Sequence, residues 1–119
     1  MPLSDAAMVL GANAIRSALQ GMQLHTADPG IGGAANRSSA APQSPTWTLP
    51  AADGDFSLAA PVVFTGGTPN GPVTHLSLWS STNLSTAIWY GNFPLSGDLT
   101  FDGNGNYTVE AFTVNGSAT

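Results

Sequence analysis

His25 and Asp28 are the first residues whose types and spacing could do chemistry. A histidine followed by an acid three residues later supplies two ligands for a metal or two members of a Ser-His-Asp triad. A metal needs a third ligand, and the other histidine, His75, lies inside a predicted strand. The Pro29-Gly30 dipeptide already accounts for the acid as a turn-capping residue. The sequence therefore favours hydrogen bonding of His25 and Asp28 to the turn and the neighbouring strand over catalysis.

Other residue patterns give weaker indications of metal binding or catalysis. Asp53 and Asp55 flank Gly54 and offer two carboxylates to a hard cation such as calcium, but no EF-hand spacing follows, so a solvated turn is favoured. The chain has no Gly-x-Ser-x-Gly nucleophile elbow. We therefore expect no enzyme activity, no cofactor and no metal.

Trp79 and Trp89 lie in two neighbouring predicted strands and are candidate binding or interface residues. Exposed aromatic rings can stack on sugars, which would make a platform for a host glycan. Strand aromatics more commonly pack in a core or between subunits, so packing is favoured here.

The charge content excludes several classes of partner. Charged residues make up 8% of the 119 residues, against about 25% in ordinary soluble domains, and the net charge is -5. Arg16 and Arg37 are the only fixed positive charges, so no basic patch exists for nucleic acid or an anionic membrane. A surface with so little charge points to burial in an assembly. The alternative is a soluble monomer with a neutral polar surface.

The sequence contains few features that indicate a cellular compartment. The chain has no cysteine, hence no disulfide and no thiolate metal site. No apolar run approaches the roughly 20 residues of a membrane span. Because residues 1–5 lack a basic region followed by an apolar core, we expect no secretory signal.

Residues 1–21 are predicted to form a helix that begins at the N-cap Ser4 and stops at Gly21. Spacings of four and three place apolar side chains on one face of this helix. Such a short helix must dock that face, either on the chain's own sheet, which is favoured, or in a seam with copies of itself. The face consists of Met8, Ala12, Ile15, Leu19 and Met22.

Residues 22–119 are predicted to form strands, with a long loop near 27–45. The 31–45 part has low hydrophobicity, typical of loops that are functional, disordered or held by a neighbour. Strands 73–80 and 86–93 form a central antiparallel hairpin with one tryptophan-bearing and one Leu/Ile-bearing face. Residues 98–101 and 107–114 form a final hairpin around the 102–106 turn. The prediction is one mainly β domain, residues 1–119: an N-terminal α-helix, then a small antiparallel β-sandwich of jelly-roll or immunoglobulin-like type.

Four stretches carry a resemblance to a known group of proteins. They read Met-Pro-Leu-Ser-Asp-Ala-Ala at the start, Leu-His-Thr-Ala-Asp-Pro-Gly at 24–30, Pro-Val-Thr-His-Leu-Ser-Leu-Trp-Ser at 72–80, and Tyr-Gly-Asn-Phe-Pro-Leu at 90–95. Together they resemble small structural proteins of tailed bacteriophages of actinobacteria, of the tail fibre or minor tail type. The motifs of that group mark a fold and carry no catalytic residue.

The resemblance implies a non-enzymatic virion protein on the particle exterior, made in the bacterial cytoplasm and released by lysis. Its implied partners are copies of itself, with a trimer plausible, and other virion proteins. Two alternatives stay open: a capsid decoration (minor capsid or cement) protein, and a module that binds a host surface glycan through Trp79, Trp89 or the 31–45 loop. A small hydrolase using His25, Asp28 and a serine is a third, less favoured hypothesis.

Overall fold

An N-terminal helix precedes seven short strands in the computed structural model of the chain, which describes residues 4–52 and 54–114. The expectation of a mainly β chain with one N-terminal helix is confirmed. The elements are α1 (Asp5–Ala18), β1 (Gly21–His25), β2 (Phe56–Ser57), β3 (Val62–Phe64), β4 (His75–Trp79), β5 (Trp89–Pro94), β6 (Tyr107–Val109) and β7 (Thr113–Val114).

Helix α1 starts where the sequence predicts and ends earlier. The Ser4 hydroxyl accepts a hydrogen bond from the Ala7 amide at 3.2 Å, which satisfies one of the free amides of the first turn. The prediction that Gly21 stops the helix is wrong, because Gly21 is the first residue of β1. A Cβ atom there would overlap the carbonyl of Ser81, so glycine serves a close approach of two backbones.

Helix α1 docks on the chain's own core through Ala12 and Leu19, which are both buried. The indole nitrogen of Trp47 donates to the Leu19 carbonyl at 2.9 Å and holds the end of the helix. Ile15, expected on the same face, is 49% exposed. Met22 belongs to β1, where it is fully buried.

The strands pair into three antiparallel sheets. The largest has the order β1-β4-β5, and β2 pairs with β7 and β3 with β6. The predicted central hairpin is present as β4 and β5, although β5 begins only at Trp89, since the amides of Thr86 and Ala87 fold back onto the Asn83 carbonyl. The buried core joins α1 to all three sheets. Its fully buried side chains include Met22, Leu24, Phe64, Val73, Leu76, Leu78 and Phe101.

The predicted final hairpin is wrong beyond its turn. Asp102 accepts hydrogen bonds from the amides of Asn104 and Asn106 and closes the turn as expected. Pairing between the two arms stops there, because Phe101 turns into the core and packs edge-on against Tyr107 at 6.2 Å. Strands β6 and β7 pair instead with β3 and β2. Residues 46–49 form no strand and pair through one bridge, between Trp47 and Leu58.

The long loop is held by its own chain. The amide of Ser38 donates to the Leu24 carbonyl, and Met22 and Gln43 exchange two backbone hydrogen bonds of 2.8 and 3.0 Å. Residues 36–43 therefore line the free edge of β1. The loop needs no neighbouring molecule to satisfy this edge.

Candidate functional site: the tryptophan face

The three-stranded sheet has two chemically different faces. Its register places Gln23 opposite Ser77, and Trp79 opposite both Gly21 and Trp89. Because side chains alternate along a strand, these residues lie on the face away from the Leu and Met core. We call this surface the tryptophan face and define it as His25, Ser77, Trp79, Trp89 and Asn92.

His25 and Ser77 are brought together at its centre. The Oγ atom of Ser77 lies 2.7 Å from Nε2 of His25, and the carbonyl of Ala35 lies 2.9 Å from Nδ1. A carbonyl can only accept, so Nδ1 of His25 carries the proton and donates to Ala35. In the neutral ring Nε2 is then an acceptor, and the Ser77 hydroxyl donates to it.

The surroundings keep His25 neutral. Burial lowers the pKa of His25 below its usual value of 6.5, and the positive charge of Arg37 and the ring of His75 lower it further. The bond to the Ala35 carbonyl acts in the opposite direction and favours the charged ring, but burial outweighs it. Both ring nitrogens are occupied, so neither is free to bind a metal.

Trp79 extends the same hydrogen-bond chain. Its indole nitrogen donates to Ser77 Oγ at 2.7 Å, so the hydroxyl accepts from Trp79 and donates to His25. The guanidinium carbon of Arg37 lies 5.5 Å from the centre of the indole ring, a cation–π contact. Trp79 is only 4% exposed, so its ring is not available for stacking on a sugar.

Trp89 is held by the loop that crosses the face. Its indole nitrogen donates to Oδ1 of Asn92 at 2.9 Å, and Nδ2 of Asn92 donates to the Gly30 carbonyl at 2.7 Å. A Cβ atom on Gly33 would overlap Trp89 and lie 3.1 Å from Trp79. We call residues 28–37 the covering loop, since this segment packs directly on both indoles.

Asp28 serves the covering loop and not His25. Its Oδ1 accepts from the amide of Gly30 at 2.9 Å, and its backbone carbonyl accepts from the side chain of Asn36 at 2.9 Å. This is the turn-capping arrangement that the Asp-Pro-Gly sequence favours. The His25 and Asp28 pair named from the sequence thus splits into a buried strand residue and an exposed turn residue.

Sequence reasoning missed Asn92 and, at the centre of this site, Ser77. It lies 52 positions from His25, in a chain rich in serine. The one available signal was the alternation of His75, Ser77 and Trp79 with two leucines, which puts a hydroxyl beside an indole on the polar side of β4.

The arrangement limits what the site can do chemically. A serine hydroxyl that donates to a neutral histidine is the geometry of a nucleophile and its base. Here both side chains have no exposed surface, and Trp79 donates to the oxygen that would attack. The trio acts as a polar link between β4, β1 and the covering loop.

Metal ligands and membrane-spanning helices are two further features that could indicate a function. Within residues 4–52 and 54–114, no three His, Asp or Glu side chains are grouped to hold a metal ion. Asp53, one of the two carboxylates weighed as calcium ligands and interpreted as part of a solvated turn, lies outside the described residues. In the same ranges no helix has the length and apolar character needed to cross a membrane.

Comparison of the chain with protein-family models, with curated proteins and with solved structures finds no match in any of the three.

Proposed function

We propose that this chain is a non-enzymatic structural protein of a tailed bacteriophage particle, of the tail fibre or minor tail type, which self-associates on the particle exterior. The observation that carries the proposal is the surface. Large apolar side chains stay exposed on a chain with only two arginines and seven acids. They are Leu10, Ile15, Ile31, Leu49, Val63, Ile88, Tyr90 and Leu99.

The tryptophan face supports the non-enzymatic part of the proposal. His25, Ser77 and Trp79 hydrogen-bond to one another or to the backbone and are shielded from solvent. Ser77 and His25 have the geometry of a nucleophile and its base, but both are fully buried and Asp28 bonds to the covering loop instead of His25, which argues against the hydrolase hypothesis. Trp79 is buried, so a glycan-binding function would have to use the partly exposed Trp89 or the loop itself.

The sequence resemblance supports the phage assignment. It also supports a finer description of the fold, in which the three small sheets form the layers of a jelly-roll or immunoglobulin-like sandwich. A structural protein of this kind acts through its location in the particle and the number of copies assembled there, so it needs no catalytic residue.

The test is the composition of the particle. Particles of the phage that encodes the chain are purified by density gradient, and their proteins are quantified by mass spectrometry against the cleared lysate. We expect the chain to be enriched in the particles, at a few to tens of copies for a tail position. Hundreds of copies would instead support capsid decoration. Absence from purified particles would overturn the proposed function.

A further inference from the structure

We propose that two copies of this chain pair through the outer face of α1, as antiparallel helices related by a two-fold axis at Ala14. The inference rests on the self-association proposed above and deepens it. The surface lies opposite the Met8, Ala12 and Ile15 face that the spacing of apolar residues indicates.

The outer face of α1 carries no charge. The two charged residues of the helix, Asp5 and Arg16, lie outside the arc that faces away from the core. That arc is formed by Ala6, Ala7, Leu10, Gly11, Ala14, Ser17 and Ala18. Two copies that each bear a net charge of -5 repel one another. The electrostatic free energy of their approach is therefore lowest at a face without charge.

The same face carries a knob and a hollow. Leu10 is 73% exposed and projects from the outer face. One and two turns further on, Ala14 and Ala18 line an open hollow of about 410 Å³ together with Ile15, Leu19 and Tyr90. A Cβ atom on Gly11 would have open space around it, so the backbone of the helix is accessible beside the knob.

Symmetry brings knob and hollow together. In an antiparallel pair centred on Ala14, the residue four before the centre faces the residue four after it. Leu10 of each copy then meets the second copy's Ala18 and fills the hollow beside Tyr90. Residues 10, 14 and 18 form one ridge with a spacing of four, the ridge used in the commonest class of helix packing. A parallel pair would instead set Leu10 against Leu10.

The pairing also stabilises a helix that packs weakly within its own chain. Ala12 is the only residue within α1 that is buried. Fourteen residues are marginal for an isolated helix, so a second copy supplies packing that the chain lacks. One ridge is a smaller contact than the roughly 1,200 Å² of stable complexes, so we expect association in the micromolar range.

Sedimentation velocity over about a hundredfold range of concentration tests the pairing. We expect a monomer–dimer equilibrium for the natural chain and at least about a tenfold weaker dimer for Leu10→Asp. The matched control is Ile31→Asp, which adds the same charge at a residue that is 99% exposed on the covering loop. This control variant should dimerise like the natural chain, and unchanged circular dichroism should show that both variants fold.

The cysteine-free chain allows a second, geometric test. Ala14→Cys should form a disulfide-linked dimer on mild oxidation, whereas Ile31→Cys should do so much more slowly. A strictly monomeric chain, a trimer, or association that survives Leu10→Asp would overturn the inference. A trimer, or association that survives Leu10→Asp, would leave the proposed self-association in place, whereas a strictly monomeric chain would count against it as well. The composition of the particle tests the phage assignment independently of all these results.

Discussion

The Ser77 hydroxyl and Nε2 of His25 lie 2.7 Å apart across the β1–β4 pair, and the Ala35 carbonyl decides which of them donates. Since Ala35 fixes the proton on Nδ1, the hydrogen bonds run in one direction, from Trp79 through Ser77 to His25 and on to the covering loop. His25 thereby links β4 to the covering loop, and protonation of Nε2 would reverse only the bond to Ser77, because Nδ1 donates to Ala35 in both forms of the ring.

Ser77→Ala should lower the free energy of unfolding by about 2–4 kcal/mol. The change leaves the indole N–H of Trp79 and Nε2 of His25 buried without partners, and each unsatisfied group costs about 1–3 kcal/mol. Urea denaturation followed by tryptophan fluorescence measures the loss. Ser85→Ala, on an exposed turn, is the control and should cost less than about 0.5 kcal/mol. Equal losses for the two variants would contradict the assigned hydrogen-bond chain.

His25 should make the protein less stable as the pH falls below about 6.5. Its pKa is lowered in the folded chain, so the unfolded chain binds the proton more readily, and the free energy of unfolding rises with pH in this window. The slope from one histidine is at most about 1.4 kcal/mol per pH unit. Urea midpoints measured between about pH 5.5 and 7 should show this dependence, and His25→Asn should lose it while keeping the contribution of the carboxylates.

A direct measurement of the same histidine is an NMR titration of its ring. The resonances of His25 should titrate below 6.5, with the proton on Nδ1 in the neutral form. Titration at or above 6.5 would contradict the role assigned to burial.

Arg37→Gln should have two effects that can be measured separately. Loss of the cation–π contact with Trp79 should cost about 0.5–1 kcal/mol of stability. Removal of the nearby positive charge should raise the pKa of His25 toward its usual value. Arg16→Gln removes the same charge from α1 and should leave the titration of His25 unchanged. A His25 titration that responds equally to both variants would mean that net charge, and not the proximity of Arg37, sets the effect.

Local signals in the sequence predicted local structure well. The Ser4 cap, the 102–106 turn and the alternation along β4 each depend on neighbours a few residues away, and each is present in the structure. The Asp28 side chain caps its turn by accepting from an amide two residues away, so this feature was also predictable from local sequence.

The features that were not predicted depend on packing between residues that are distant in the sequence. The local sequence predicts that Gly21 ends the helix, whereas its position is set by the close approach of Ser81. It predicts a strand residue at Phe101, whereas Phe101 is buried in the core. The partner of His25 is equally distant in sequence. The spacing of large apolar residues indicates only one face of α1, because small residues on the opposite side, such as Ala14, give little hydrophobic signal.

Gly33→Ala should loosen the covering loop, and Gly32→Ala is its matched control. Both glycines have positive φ, 66° at Gly33 and 89° at Gly32, so each substitution carries a backbone cost of about 1–2 kcal/mol. A Cβ atom at Gly32 meets open space, whereas one at Gly33 overlaps Trp89. Gly33→Ala should therefore cost about 1–3 kcal/mol more in urea denaturation and shift the tryptophan emission to longer wavelength as the loop lifts. If the two variants lose the same stability and keep the same emission, the covering loop does not pack on the indoles in solution.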